Sequence, residues 1–420
     1  MQSKEKIPLK ITIALFIYGG ATVALFTNTP GFFYAPVSEY LGIGRGEFSL
    51  YYTAQAAVTF VFLLFSGKII NKYHEKLKLI LIAAIVSQFI GYGFFANGTA
   101  LWHWYVGAVF VGAGNAFDAH LLIGILVNNW FKLKGGTILG LVFAFVSVVG
   151  AVVSPLVSTL IAVQGFRVAY ACIGVCSLVL VLPTVLFLIK YQPQDCGMRP
   201  YGEATLEERG VDNLKTSENG GISHAVALKS SSFYLLYFFT YAICCWASFN
   251  FAMPGYAASV GFDAVHVGLA STCVMVGGII GKLSLGVLTD KAGVCRATLI
   301  ISLLGIIGML LLVLSPSAPL FFVGAIFFGL ALSLTGVMSP AATRDVFGSK
   351  DYDTIYSNIA TSTWLGTATA IPLYNFVFDF TGSYASGMIA AIVLLVAGFV
   401  CLVASKKIAS RLPWQRMPFS

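Results

Sequence analysis

Residues 79–95 read Leu-Ile-Leu-Ile-Ala-Ala-Ile-Val-Ser-Gln-Phe-Ile-Gly-Tyr-Gly-Phe-Phe, without one charged side chain. With their flanks they fill 78–97, which as a helix rising 1.5 Å per residue is about 30 Å long, the thickness of a bilayer's hydrocarbon. Ile389 to Val403 is a second such run, and others recur along the 420 residues. A strand of an outer-membrane barrel would alternate apolar and polar positions instead, so these runs are helices. The whole composition agrees: 58% hydrophobic, 10% charged and a mean hydropathy of +0.86 exclude an ordinary soluble globular protein.

Hydropathy broken at Gly, Pro and charge predicts twelve spans, at 10–37, 47–70, 78–97, 102–131, 136–163, 166–190, 231–258, 264–289, 297–315, 318–343, 354–380 and 384–405. Met1 to Lys10 is basic, and the apolar stretch after it has no Ala-x-Ala cleavage pattern, so it reads as a retained first span. Of the 25 lysines and arginines, 22 fall on one side of these spans, Arg45 and Arg167 on the other, and Lys282 within a span. The positive-inside rule then places both termini in the cytoplasm. The same asymmetry, facing an anionic inner leaflet, accounts for the net charge of +8 without a nucleic-acid partner. Tyr191 to Lys229 is the one polar stretch. The expected organisation is a six-helix bundle over 1–190, a cytoplasmic linker over 191–229, a second six-helix bundle over 230–405 and a basic tail over 406–420.

The eight cysteines show no metal-ligand or redox spacing, and Cys244 and Cys245 are adjacent inside a span. No phosphate loop, paired histidine ligands or Gly-x-Ser-x-Gly elbow is present, so an enzyme, a cofactor and a bound metal are not expected.

Charge inside a membrane points to function. Asp118 is the one mid-span acid and Lys282 the one mid-span base, eight residues before Asp290 and so about 12 Å from that helix end. Lys282 is a candidate ligand for an anion, with a snorkelling lysine as the plain alternative. Asp118 suits a proton-coupling site; on a continuous helix it would share a face with Asn115, while His120 would point nearly opposite and is a rival proton carrier. Tyr18, Asn28, Gln55, Tyr241, Asn250, Asn358 and Trp364 could supply the hydrogen-bonding groups of a substrate pocket near the midplane between the halves.

The halves echo one another after their second spans, where Gly67 to Lys72 parallels Gly286 to Arg296. A glycine would let helices approach closely, and the acid and bases that follow could latch a neighbouring helix end. Gly286, Asp290, Lys291 and Gly293 match the Gly-x-x-x-Asp-Lys/Arg-x-Gly-x-Lys/Arg signature of the major facilitator superfamily, which the chain resembles over almost its whole length, with Arg296 one position beyond the signature's last base. Asn71 stands where the first copy would carry its acid, and no glycine follows Lys72. The resemblance implies an all-α membrane protein of two pseudo-symmetric six-helix bundles, with Gly67, Asn71, Lys72 and the second copy forming a cytoplasmic gate.

A narrower likeness joins Trp130-Phe131-Lys132, Gly140, Gly150, Pro155, Gly165-Phe166-Arg167, the stretch Pro193 to Glu203 and Asp379 to Tyr384. In that order they resemble the monocarboxylate porter and oxalate/formate antiporter branch. That branch implies transport of small organic anions, coupled to protons or to a counter-anion, with Lys282 in the place of a substrate-binding arginine and Gln55 and Trp364 in pocket positions. The expected protein is a monomeric multi-pass carrier of a prokaryotic inner membrane. An exporter of amphipathic or aromatic compounds is one alternative, and a non-transporting metabolite sensor another.

Overall fold

The computed structural model describes residues 8–117, 119–133, 135–203, 220–314, 317–348 and 350–413. Among them the chain is helical, with only two isolated β-bridges outside the helices. The reason is the solvent: a backbone N–H or C=O in hydrocarbon has no water to pair with, and the helix pairs each within its own segment. Ten of the helices described are long and apolar enough to cross a membrane.

The long helices are α1 (Leu9–Gly19), α2 (Arg45–Lys72), α3 (Leu77–Ala96), α4 (Leu101–Asn115), α5 (Ala119–Trp130), α6 (Gly135–Gln164) and α7 (Phe166–Pro183) in the first half. The second half holds α8 (Ser231–Ser259), α9 (Ala264–Ala292), α10 (Val294–Leu314), α11 (Ala318–Ser333), α12 (Ser339–Phe347), α13 (Tyr352–Thr381) and α14 (Ala385–Ala409). Three wider π-turns interrupt this regularity, at Gly20–Ala24, Thr184–Leu188 and Leu334–Met338.

The fourth expected span, 102–131, is not one continuous helix. α4 ends at Asn115, the Phe117 N–H turns back to the Gly114 carbonyl, and α5 begins at Ala119. Just before the break the helix packs closely on its neighbours. A Cβ on Gly112 would lie 2.6 Å from the Gln55 carbonyl of α2, and one on Gly114 would lie 2.7 Å from the Ala84 carbonyl of α3. The face expected to be shared by Asn115 and Asp118 falls at this junction, and Asp118 lies outside the described residues. Span 11, by contrast, is the single helix α13.

Contacts divide the chain into two units, residues 1–43 with 50–214, and residues 44–49 with 215–420. In the first, α3 and α4 cross at Gly91 and Gly107, where a Cβ on either would meet the other's carbonyl oxygen at 2.7 and 2.8 Å. A ring cluster of Phe33, Tyr51, Tyr92, Phe95 and Tyr170 fills its core, with Phe33 stacked on Tyr170 at 3.7 Å. In the second, α9 runs against α11 along Gly277 and Gly281, which abut the carbonyls of Ile326 and Leu330. Residues 44–49 join this second unit through Asp379, whose carboxylate accepts the backbone N–H of Arg45 at 3.0 Å and of Gly46 at 2.6 Å. The Arg45 guanidinium lies 4.2 Å over the Phe378 ring and reaches the Tyr384 hydroxyl at 3.4 Å.

Both described ends of the polar linker are docked. In the first unit the Tyr201 N–H donates to the Trp130 carbonyl at 2.8 Å, while the Tyr201 carbonyl accepts from Lys132 and Leu133. The Trp130 indole N–H donates to the Lys190 carbonyl at 3.0 Å and the Asn129 amide to that of Tyr191 at 3.1 Å. In the second unit Gly221 bridges Gly348, the Ile222 N–H donates to Phe347, and the His224 N–H donates to the Asp351 carboxylate at 2.7 Å. The loops that receive them, after α5 and after α12, occupy corresponding places in the two halves.

Candidate functional site

The second unit holds Lys282, and its environment is set by the α9 sequence around it. Gly281, one residue earlier, packs on α11, where its Cβ would lie 2.9 Å from the Ser333 Oγ. Lys282 itself is half-buried, beside the edge of that crossing, where α11 gives way to the π-turn Leu334–Met338. A π-turn widens the helix and loosens the i to i−4 ladder, a distortion found often at functional sites.

Helix register compares depths inside this unit. Counted from the ends predicted to be cytoplasmic, Lys282 is about 15 Å from Ala292, Tyr241 about 15 Å from Ser231 and Thr361 about 14 Å from Tyr352, at 1.5 Å per residue. The middle of the π-turn, Gly336, is about 16 Å from Phe347 on the same count. One cation, one distorted helix and the Thr361 hydroxyl thus share a level. α8 packs along α13 and also against α9 and the π-turn, which keeps these elements adjacent.

The hydroxyls come in pairs between α8 and α13. The Tyr241 hydroxyl lies 3.1 Å from the Thr369 Oγ1, and the Tyr237 hydroxyl 3.2 Å from the Thr361 Oγ1. Trp364, on the same stretch of α13, is half-buried. Asn250 lies nine residues beyond Tyr241 on α8, about 14 Å further along, and its Oδ1 is buried without a hydrogen-bond partner. Asn358 is nearer the helix start, where its amide lies 2.9 Å from the His224 Nε2. That contact ties α13 to the linker helix His224–Lys229.

In the first unit Gln55 is buried on α2, its carbonyl accepting the Thr59 hydroxyl at 2.9 Å. Tyr18 is buried on α1, and Asn28 sits half-buried at the irregular junction before Pro30. The Asn115 Oδ1 accepts from the buried Gln88 amide at 2.9 Å. Asp118 and the side chain of His120 lie outside the described residues.

At the gate motif the structure departs from the expected close approach. Among the described residues, a Cβ on Gly67 or Gly286 would meet no atom of its own unit within 4 Å. Lys72 is exposed against the Tyr73 ring at 5.3 Å, and the side chain of Asn71 lies outside the described residues. Asp290, Lys291 and Arg296 are exposed, and Gly293 ends α9 with a φ of 80°. Among the described residues the ion pairs are His266–Asp263 and Lys406–Asp345, neither of which involves the motif.

Sequence reasoning did not single out Tyr237, Thr361 or Thr369. Hydroxyls four residues apart at Tyr237 and Tyr241 and eight apart at Thr361 and Thr369 were the available signal, but it is diluted by the many threonines and tyrosines of the chain. Nor did it assign Asp379 a role, although Gly44-Arg45-Gly46 and Asp379 to Tyr384 are both distinctive in sequence.

The family model of the Major Facilitator Superfamily matches residues 13–265 and again 233–416. No curated protein matches the sequence. Among solved structures, a point mutant of the nucleoside transporter NupG is similar at 12% identity and a TM-score of 0.72, over 94% of this chain and 99% of that one. A D-xylose–proton symporter is similar at 13% identity and 0.68, over 95% and 96%. A bacterial homologue of the human lysosomal transporter Spinster, inward-facing and occupied, is similar at 12% and 0.64, over 95% and 96%. At such identities these likenesses establish the fold alone. With the family model covering nearly the whole length of a helical, multi-pass membrane protein, the chain belongs to the Major Facilitator Superfamily, a family of transporters and not of enzymes.

Proposed function

We propose that the protein is a secondary active carrier of small organic anions, mono- or dicarboxylates, working by alternating access. The observation that carries this reading is Lys282, half-buried on α9 at the depth of the π-turn and of Thr361. A charged side chain within a span is costly in hydrocarbon and so marks a functional position. The motifs resembling the monocarboxylate and oxalate/formate branch support the same substrate class. Coupling is by proton symport, with Asp118 as the carrier of the proton, or by exchange of one anion for another.

The test is counterflow in proteoliposomes with labelled mono- and dicarboxylates, comparing wild type with Lys282→Gln, with and without an inward proton gradient. Carboxylate uptake abolished by Lys282→Gln in a folded protein is expected. Acceleration by the gradient that disappears in Asp118→Asn assigns symport, and indifference to the gradient assigns exchange. A well-folded wild type that moves no carboxylate overturns the proposal.

A further inference from the structure

We infer that α10 and α14 together bind one anionic phospholipid, its phosphate held by Arg296, Lys407 and Arg411. On α14 the exposed residues Val393, Val396, Val400 and Val403 lie on one face, and that face runs on into exposed Lys407 and, one turn later, Arg411. On α10 the exposed face carries Ile300, Leu303, Ile307 and Leu310, and begins at exposed Arg296. The two helices pack against each other. The end of α14 lies beside the start of α10, because the Lys406 ammonium and the Asp345 carboxylate, paired at 2.7 Å, both act on the Cys295 thiol. Arg296 follows that thiol in the chain and Lys407 follows that ammonium, so the cations of both helices gather at one end of the unit.

The dimensions fit one leaflet. Val393 to Val403 and Ile300 to Leu310 each span about 15 Å of helix, half of a hydrocarbon layer about 30 Å thick. Lys407 and Arg296 each stand four residues, about 6 Å, beyond those stripes, in the headgroup layer. Asp345 is engaged by Lys406, and among the described residues the side chains of Arg296, Lys407 and Arg411 meet no partner. Aliphatic rows headed by cations ask for a ligand with chains and an anion, and phosphate is the acceptor that suits both guanidinium and ammonium. The leaflet that the positive-inside rule puts at this end is also the anionic one. A second copy of the chain fits worse. Packed by this face about a twofold axis it would present the same patch to itself, with Lys407 and Arg411 of each copy opposed at one level.

The experiment is native mass spectrometry of the purified full chain in detergent, with dioleoylphosphatidylglycerol, dioleoylphosphatidylcholine or glycerol 1-phosphate added. The first carries chains and a net negative charge, the second the same chains under a zwitterionic headgroup, and the third the anion alone. Retention of one phosphatidylglycerol, about tenfold or more tighter than phosphatidylcholine, is expected, since each basic residue near an anionic lipid surface is worth about fivefold. Arg296→Gln, Lys407→Gln and Arg411→Gln combined should bring phosphatidylglycerol down to the level of phosphatidylcholine. Lys10→Gln removes an exposed cation from the start of α1 and should leave retention unchanged. The substituted positions are exposed, so the melting points of these variants should stay with wild type. Equal retention of the two lipids, or phosphatidylglycerol retention that survives the triple substitution, overturns the inference. Glycerol 1-phosphate held as tightly as phosphatidylglycerol overturns it in favour of a soluble anion, and a dimer that forms without lipid and excludes it does so in favour of a second copy.

Discussion

Glycine is the commonest means by which these helices touch, and α3 offers a controlled test of what that contact contributes. Gly91 and Gly93 are two residues apart on one helix, yet a Cβ on Gly91 would lie 2.7 Å from the Gly107 carbonyl and 3.1 Å from the Val111 nitrogen, whereas one on Gly93 would meet nothing within 4 Å. Beside the Val111 Cγ2 at 2.5 Å, these two neighbours of Gly91 are backbone and cannot turn aside. Restoring an ordinary contact of about 3.4 Å requires α3 and α4 to part by about 0.7 Å, and overpacking of that kind costs about 1–3 kcal/mol. At Gly93 the same substitution adds only a better helix former, stabilising by about 0.4–1 kcal/mol. For a unit of this size each kcal/mol moves the midpoint by about 2–4 °C, so Gly91→Ala should melt about 2–12 °C below wild type and Gly93→Ala about 1–4 °C above it. The assay is thermal unfolding of the purified protein in one detergent, followed by circular dichroism. If Gly91→Ala melts with or above Gly93→Ala, the α3–α4 crossing is not the tight one described and the reasoning fails.

Three further outcomes follow from contacts outside the proposed site. Asp379→Ala removes the carboxylate that receives the Arg45 and Gly46 N–H groups and should lower the melting point by about 2–4 °C, as loss of a helix cap worth about 1 kcal/mol would; an unchanged midpoint would show that the pairing contributes nothing. Asp263 caps α9, and the backbone N–H of His266, then its ring, hold that carboxyl below the usual carboxylate range. Since its folded value lies below the unfolded one of about 3.9, its contribution is complete above about pH 5 and is lost as pH falls through the folded value. Wild type should therefore lose melting temperature relative to Asp263→Asn on acidification, and parallel profiles would contradict this. Tyr201→Pro deletes the N–H that meets the Trp130 carbonyl, so amide exchange over 190–203 should quicken about tenfold by mass spectrometry while that over 221–230 stays unchanged; equal quickening of both would mean the two docks are not independent.

Much of the fold was legible because the bilayer simplifies the code. Uncharged runs of sufficient length can only be helices, and ten helices long and apolar enough to span stand where such runs were read. The interruption of span four was not legible, because nothing in Gly112-Ala113-Gly114-Asn115 distinguishes a bent span from a straight one. The same limit explains the gate glycines. With 43 glycines in the chain, sequence cannot say that Gly91, Gly107, Gly277 and Gly281 sit at crossings while a Cβ on Gly67 or Gly286 would meet no atom of its own unit. Lys282 was visible because charge in a span is rare, but the tyrosine–threonine pairs were not, since which tyrosine meets which threonine depends on how α8 and α13 pack. The linker escaped for a related reason: its docking is made by main-chain atoms of Trp130, Tyr201, Gly221 and Phe347, whose side chains only hint at it.

That docking also decides where the gene tolerates surgery. A reporter or epitope spliced into 193–202 or 221–224 would strip away the pairing with the loop after α5 or after α12. Residues 204–219 lie between the two docked pieces, and foreign sequence placed there leaves both pairings intact. A break in the coding sequence at the same place would yield two polypeptides, each ending or beginning with the stub that its own unit already holds.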